Sequence, residues 1–206
     1  MNERLKQGTP GVLLVMSAPS GAGKTSIGQR ILEMFPQLHF SISSTTRPRR
    51  PGEVDGRDYE FLPEPEFRRR IAAGDFVEWV ENYGNLYGTS RKQLEPFLAH
   101  GADLLLDIEP RGAKAIRAYY PQAVLVFILP PSLADLRSRL EKRGESPMVM
   151  EQRLQRSLDE IREALCYDYL IFNERLPEAV ERFRAIYLAE KSRRERCAGQ
   201  LTAFLT

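Results

Sequence analysis

The sequence predicts an α/β protein built on a parallel sheet of about five strands flanked by helices, and three observations carry that prediction. Short apolar runs alternate with stretches of helical periodicity along the whole of the 206 residues. Strands covered on both faces are apolar throughout rather than at every second position, so such alternation is the signature of βα units. The first run, Val12 to Met16, breaks into the small residues Ser17 to Gly23 and then opens a helix at Lys24. No internal repeat, low-complexity tract or linker divides the chain, and a single domain is expected.

Each element follows from its own pattern. Ile27, Ile31 and Met34 share one face of the first helix, which Pro36 ends. Phe40 to Ser44 is a short alternating run. After it, Thr45 to Glu53 sets prolines and a glycine among arginines, which makes a stiff basic loop, either an anion clamp or solvated surface. Pro63 to Gly74 has early carboxylates and a terminal glycine, as a short helix should. Asp75 to Thr89 mixes β-forming aromatics with Gly84 and Gly88, giving strands and turns in a small lobe rather than a βαβ unit. Gln93 to Ala99 is helical up to Gly101, and Leu104 to Ile108 is a buried strand with Asp107 near its carboxyl end and Glu109 just beyond. Ligands bind at that end of an open α/β sheet, so both carboxylates should face the first loop, although Asp107 could instead cap the helix near Gly112. Val124 to Leu129 is a further strand, followed by a helix capped by Ser132 with Leu133, Leu136 and Leu140 inward. Arg137, Arg139, Lys142, Arg143, Arg153 and Arg156 gather on two helices joined at Gly144 to Pro147, the makings of a lid or of a solvated hairpin. Tyr169 to Phe172 is the fifth strand, with Asn173 at its end. The last helix starts near Pro177, with Val180, Phe183, Ile186 and Tyr187 on one face.

Composition limits the partners. The chain is 42% hydrophobic and 28% charged, with 30 basic against 28 acidic residues for a net charge of +2. That is the balance of an ordinary globular chain, and neither nucleic acid nor a membrane is an expected partner. Cys166 and Cys197 form no Cys-x-x-Cys pair and suit a reducing compartment. The opening MNERLKQGTPG lacks an apolar signal core and no apolar run approaches the roughly 18 residues of a membrane span, so a cytoplasmic location is expected.

The richest chemical signal is Ser17 to Ser26, SAPSGAGKTS. Ala18, Pro19, Ser20, Gly21, Ala22 and Gly23 offer backbone rather than side chain, and successive N–H groups at a helix start form a concave, positively polarised nest for phosphate. Lys24 adds a full charge for the outer phosphates, Thr25 a hydroxyl suited to magnesium, and Ser26 continues the helix start. Ala18 departs from the strict G-x-x-x-x-G-K-[ST] form, but a small residue suffices there.

The succession SAPSGAGKTS, SISSTTRPRRPGEVDGRDYEF, DFVEWVENYGNLYGTSR, LLLDIEPRGA, FILPPSLADLRSRLEKRG and LIFNERL resembles guanylate kinase, in order and across nearly the whole chain. The resemblance implies a P-loop nucleoside monophosphate kinase fold. Its core would span about 10–36, 91–135 and 158–206, its GMP-binding lobe about 37–90 and its arginine-rich lid about 136–157. It implies the reaction ATP + GMP ⇌ ADP + GDP with Mg2+, and dGMP as a further acceptor. By the resemblance Ser43, Glu78 and Thr89 contact guanine, while Arg47, Arg50, Tyr59 and Tyr87 hold the GMP phosphate. Lys24, Arg50, Arg143 and Arg153 stabilise the transferring group, Thr25 and Asp107 lie at the metal, and Asn173 lies beside adenine. Three positions depart from the family pattern: Glu109 where Asp is frequent beside the base, Arg111 where Gln is common, and Thr89 where some members have Ser. Two other activities fit the same build, phosphorylation of ribose 1,5-bisphosphate and non-catalytic phosphopeptide binding. The base-reading set argues against the first, and the intact Gly23, Lys24 and Thr25 argue against the second.

Overall fold

The computed structural model describes residues 11–82, 84–141, 147–201 and 204. The chain begins with β1 (Leu13–Ser17), α1 (Lys24–Met34), β2 (Leu38–Phe40), β3 (Ser44–Thr45), β4 (Glu60–Phe61), α2 (Glu64–Ala72), β5 (Phe76–Asn82) and β6 (Asn85–Ser90). It continues with α3 (Arg91–Ala99), β7 (Asp103–Asp107), α4 (Pro110–Tyr119), β8 (Val124–Leu129) and α5 (Leu133–Glu141). The remainder is α6 (Pro147–Arg162), β9 (Tyr169–Phe172), α7 (Leu176–Lys191) and the short α8 (Arg194–Cys197).

The principal sheet has the order β2-β7-β1-β8-β9, and every neighbouring pair is parallel. Burial on both faces explains the apolar runs. Leu14, Met16, Val126 and Ile128 pack on one side against Ile27, Ile31, Phe183 and Tyr187 of α1 and α7. On the other side Leu13, Val15, Leu104 and Leu106 meet Leu94 of α3 and Ala113 and Ile116 of α4. The result is a helix–sheet–helix sandwich whose strands all point their carboxyl ends the same way.

A second, four-stranded sheet, β4-β3-β6-β5, forms the lobe over that end. Its own small core is Phe67, Phe76 and Leu86, with the Phe67 and Phe76 rings stacked at 4.4 Å. The lobe was expected from residue 37, but β2 pairs with β7 and belongs to the principal sheet, so the second sheet begins at Ser44. In β5 the pairing with β6 shifts register between Phe76 and Glu78, and Phe76, Val77 and Glu78 are all buried. A bulge of this kind re-aims a side chain, here turning the carboxylate inward.

Other expectations shift by a residue or two. β1 runs to Ser17 rather than stopping at Met16, β7 starts at Asp103, and α3 starts at Arg91 and accommodates Pro96. Met34 and Leu133, expected inward, are exposed: α1 packs through Ile27, Gly28 and Ile31, and α5 through Leu136 and Leu140. Ser132 does cap α5, accepting from the Asp135 N–H at 3.0 Å and donating to the Asp135 carboxylate at 2.5 Å. Leu136 and Leu140 meet Leu154 of α6, joining the two lid helices. The helix corner at 142–146, Arg143 included, lies outside the described residues, as do residues 202, 203, 205 and 206. No helix among the described residues is long and apolar enough to cross a membrane.

At the opposite, amino end of the strands, Asp103 is 7% exposed and accepts from the Val12 N–H at 2.8 Å, the Tyr187 hydroxyl at 2.6 Å and the Lys191 ammonium at 2.5 Å. Burial opposes its charge, but Lys191, Tyr187 and the Val12 amide outweigh burial and hold the carboxyl below its ordinary value. A depressed carboxylate stabilises the fold above its unfolded value and loses that contribution as pH falls through the folded one. Asp103→Ala should therefore cost about 2 kcal/mol in urea unfolding at pH 7, from stranded buried donors, and less at pH 3. A cost at pH 7 below about 0.5 kcal/mol, the range of ordinary surface changes, would show that the anchor is not holding the sheet to α7.

Candidate active site

β1 delivers the chain into the loop at Ser17, whose hydroxyl donates to the Ile108 carbonyl at 2.8 Å and so ties the loop to the end of β7. Gly21 and Gly23 adopt φ of 94° and 96°, left-handed values that L side chains rarely adopt. Gly23 has a second constraint, since a Cβ there would sit 2.3 Å from the Asn173 amide nitrogen. That amide donates to the Ala22 carbonyl at 2.7 Å, and Arg139 of α5 donates to the carbonyls of Ala22 and Asn173 at 3.3 and 3.1 Å. The loop is thus braced from behind. α1 begins without a side-chain cap, leaving its first amide hydrogens for a ligand.

Ala18, Pro19, Ser20, Gly21, Gly23, Lys24, Thr25 and Ser26 line one cleft, with Arg153, Arg156 and Glu160 of α6 also on its wall. Ala22, expected among the phosphate contacts, is different: its N–H closes a turn on the Pro19 carbonyl at 3.1 Å and its side chain is buried. Asn173 is likewise buried, with its amide spent on the loop.

A second cleft lies between the loop and the lobe and is lined by Ser43, Arg47, Arg50, Tyr59, Glu78 and Tyr87, together with Lys24, Asp107 and Glu109. At its buried end the Thr89 hydroxyl donates to Glu78 at 2.6 Å. Glu78 is 6% exposed. Burial pushes its carboxyl up to about 7 and Glu109 adds to the rise, while the Thr89 hydroxyl and amide work against it. At the open end the Arg47 guanidinium forks onto Glu53 at 2.8 and 3.0 Å and lies 5.3 Å from the centre of the Tyr59 ring. Glu53 also accepts from the Arg50 N–H at 2.7 Å, so one carboxylate shapes the whole arginine loop. The Tyr59 and Tyr87 rings stand edge to face at 6.2 Å beside it.

The two clefts share Lys24, Arg50, Tyr59, Asn82, Tyr87 and Glu109. Here Lys24 is ion-paired with Asp107, and Glu109 rather than Asp107 occupies the N-cap position of α4, without a side-chain cap bond. Burial draws the Lys24 ammonium down, but the charge and hydrogen bond of Asp107 more than offset this and hold it above its ordinary value. Glu109 accepts from Asn82 of β5 at 3.0 Å and lies 3.7 Å from Arg156, which also bonds Glu160 at 3.1 Å. Burial and Glu109 together raise the Glu160 carboxyl.

Every predicted site residue within the described region thus falls in or directly behind these two clefts. Sequence reasoning missed Glu53, Glu160 and the bracing role of Arg139. Glu53 stood inside the basic loop as the acid nearest its arginines, which was the available signal. Chemically, the arrangement offers an amide nest with a lysine on one side, an arginine–tyrosine clamp on the other, and a desolvated carboxylate at the far end.

The chain is similar to known proteins along most of its length. A protein named guanylate kinase from Syntrophus aciditrophicus is 53% identical over 195 residues, covering 95% of this chain and 94% of its own. One from Symbiobacterium thermophilum is 51% identical over 192 residues, 93% of this chain and 91% of the other. The crystal structure of guanylate kinase from Anaplasma phagocytophilum matches with a TM-score of 0.78 at 34% identity, over 92% of this chain and 91% of that one. The family model for guanylate kinase matches residues 11–190, spanning loop, lobe and lid helices alike, and the chain belongs to the guanylate kinase family.

Proposed function

We propose that the chain transfers the γ-phosphoryl group of ATP to GMP, giving ADP and GDP, with the loop cleft as the ATP site and the lobe cleft as the GMP site. The observation that carries this assignment is the meeting of the two clefts at Lys24, Arg50, Tyr59 and Tyr87, between an amide nest and a guanidinium clamp. Ser43, Glu78 and Thr89 read guanine. An ionised Glu78 can accept from the adjacent N1 and N2 hydrogens of guanine as a pair, whereas adenine presents neither. Arg47, Arg50, Tyr59 and Tyr87 hold the GMP phosphate, Glu53 orienting Arg47 for it. No assigned contact requires the ribose 2′-hydroxyl, so dGMP is an acceptor too. Glu109 borders the base and fixes Asn82. Asn173 supports the adenine end from beneath the loop.

In the transfer, an oxygen of the GMP phosphate bonds to the γ-phosphorus as the bond to the β,γ-bridging oxygen breaks, and ADP leaves with that electron pair. The transition state is loose and its charge spreads over peripheral oxygens, so the protein aligns and neutralises rather than reacting covalently. Lys24 serves the transferring group, Arg50 the acceptor and Arg153 the donor side, with Arg143 assigned to the lid on its sequence position. Thr25 lines the ATP cleft and Asp107 the adjoining junction, and a hydroxyl with a carboxylate suits a hard divalent cation that keeps most of its other ligands as water and phosphate. Mg2+ held there would offset charge on the donor phosphates. We place the enzyme in the cytoplasm, where free Cys166 and Cys197 stay reduced.

Coupled ADP release with GMP, dGMP, AMP, UMP and ribose 1,5-bisphosphate offered separately tests the assignment. GMP and dGMP should turn over, and AMP should be poorer by about 10⁴ in kcat/KM, the penalty for an analogue lacking a hydrogen-bonded group. Turnover of ribose 1,5-bisphosphate above GMP would replace the acceptor.

Lys24→Ala should lower kcat by a factor of about 10² or more while the unfolding transition persists, because Lys24 serves phosphate and not the core. Activity within about threefold of the parent would remove it from the transfer step.

Glu78 sets a pH dependence. With its carboxyl at about 7 in the free protein, protonation below that pH removes the charge that accepts from guanine, so kcat/KM for GMP should fall as pH drops through 7. Glu78→Gln should lose about 1.5 to 3 kcal/mol in kcat/KM for GMP, narrow the GMP-over-AMP ratio and flatten the acid limb. An unchanged limb and ratio would take Glu78 out of base recognition.

A further inference from the structure

We propose that Gly112 is a specificity-determining positioning residue: its missing side chain is the recess that the Glu78 carboxylate occupies, and it thereby sets where the base-reading oxygens stand. The proposal rests on the assignment of guanine recognition to Glu78. Gly112 is buried in the first turn of α4 and does not adopt a left-handed backbone, so conformational freedom is not the reason for a glycine there. Within a helix glycine is less favourable than alanine, and its presence calls for a packing reason. Geometry supplies one: a Cβ on Gly112 would stand 2.5 Å from Glu78 Oε2 and 2.9 Å from its carboxyl carbon.

Two elements converge to make this contact. The bulge between Phe76 and Glu78 turns the carboxylate of β5 inward, and α4, entered through Pro110, lays its first turn against it. One carboxylate oxygen is then held by Thr89 at 2.6 Å and the other lies against the Gly112 backbone. The group is pinned on both sides, with its remaining edge toward the cleft that Ser43, Arg47 and Tyr87 also line. The start of α4 further favours negative charge there through its dipole. Of the neighbouring atoms, only those of Glu78 lie within 3.4 Å of the virtual Cβ, Ile108 being at 3.5 Å, so an added methyl group would act on that carboxylate and on little else.

Gly112→Ala tests this. The methyl group displaces the carboxylate by a fraction of an ångström to an ångström, a misplacement that can cost on the order of 10²-fold. KM for GMP should rise about tenfold or more and the GMP-over-AMP ratio should narrow, while KM for ATP and the rate with AMP stay within about twofold of the parent. Lost room for solvent should also move the acid limb of kcat/KM for GMP to higher pH, a change that general loosening of the fold would not produce. In the Glu78→Ala background the recess is vacant, so there Gly112→Ala should leave GMP kinetics unchanged and should not lower the unfolding midpoint, alanine being the better helix former. That pair keeps the test valid if the single variant folds poorly. Should Glu78→Ala lose base discrimination while Gly112→Ala keeps it, this proposal fails alone. Retention of discrimination by Glu78→Ala would overturn it together with the reading of guanine by Glu78. An equal effect of Gly112→Ala in both backgrounds would assign the glycine to helix packing instead.

Discussion

The register between β1 and β7 is the constraint on which the site depends. Met16 stands opposite Asp107, so the loop that leaves β1 and the carboxylate that ends β7 emerge side by side, and Lys24 and Asp107 pair across the gap. A slip of one residue would send Asp107 to the other face of the sheet and leave the lysine without its partner. The parallel sheet, buried on both sides, resists such a slip because every residue of β1 is packed. Chemistry at the carboxyl ends is thus held by hydrophobic burial several residues below it.

Around that junction, charge is organised by ion pairs, hydrogen bonds and close contacts that leave ligand-facing edges. Glu53 orders the arginine loop, Thr89 and Gly112 flank Glu78, and Glu109 ties Asn82 of the lobe to Arg156 of the lid helix. A carboxylate lies at the centre of each. Such pairing explains how a chain with net charge near zero can concentrate cations in one cleft without unfolding the loops that carry them.

The elements most legible in the sequence were those whose character is set by burial alone. β8 has the bounds that its apolar run indicates, because a strand covered on both faces needs no partner-specific information, and β9, an edge strand with Leu170 and Phe172 exposed, was legible from its β-forming residues instead. The glycine loop was legible because its chemistry is local. What escaped depends on contacts between distant segments. The bulge in β5 arises from pairing with β6, the bond from Asn173 to Ala22 spans most of the chain, and Arg139 is braced by carbonyls of two different loops. Met34 and Leu133 have the spacing of core residues, but the contacts that bury their helices do not extend to them. The family likeness supplied the roles expected of Ser43 and Thr89, which periodicity does not mark at all.

The strand order has a consequence for biosynthesis. β1 is made first yet lies in the middle of the sheet, hydrogen-bonded on one side to β7 and on the other to β8. A ribosome must therefore extrude residues 103–107 before the first edge of β1 is covered and residues 124–129 before the second. Throughout that interval the most apolar strand near the amino terminus offers two open ladders to any other nascent chain. Meanwhile the lobe, whose β5 and β6 are adjacent in sequence, can close its hairpin at once. The loop that follows β1 becomes a binding site only after residues 103–107 and 124–129 have followed it out of the ribosome.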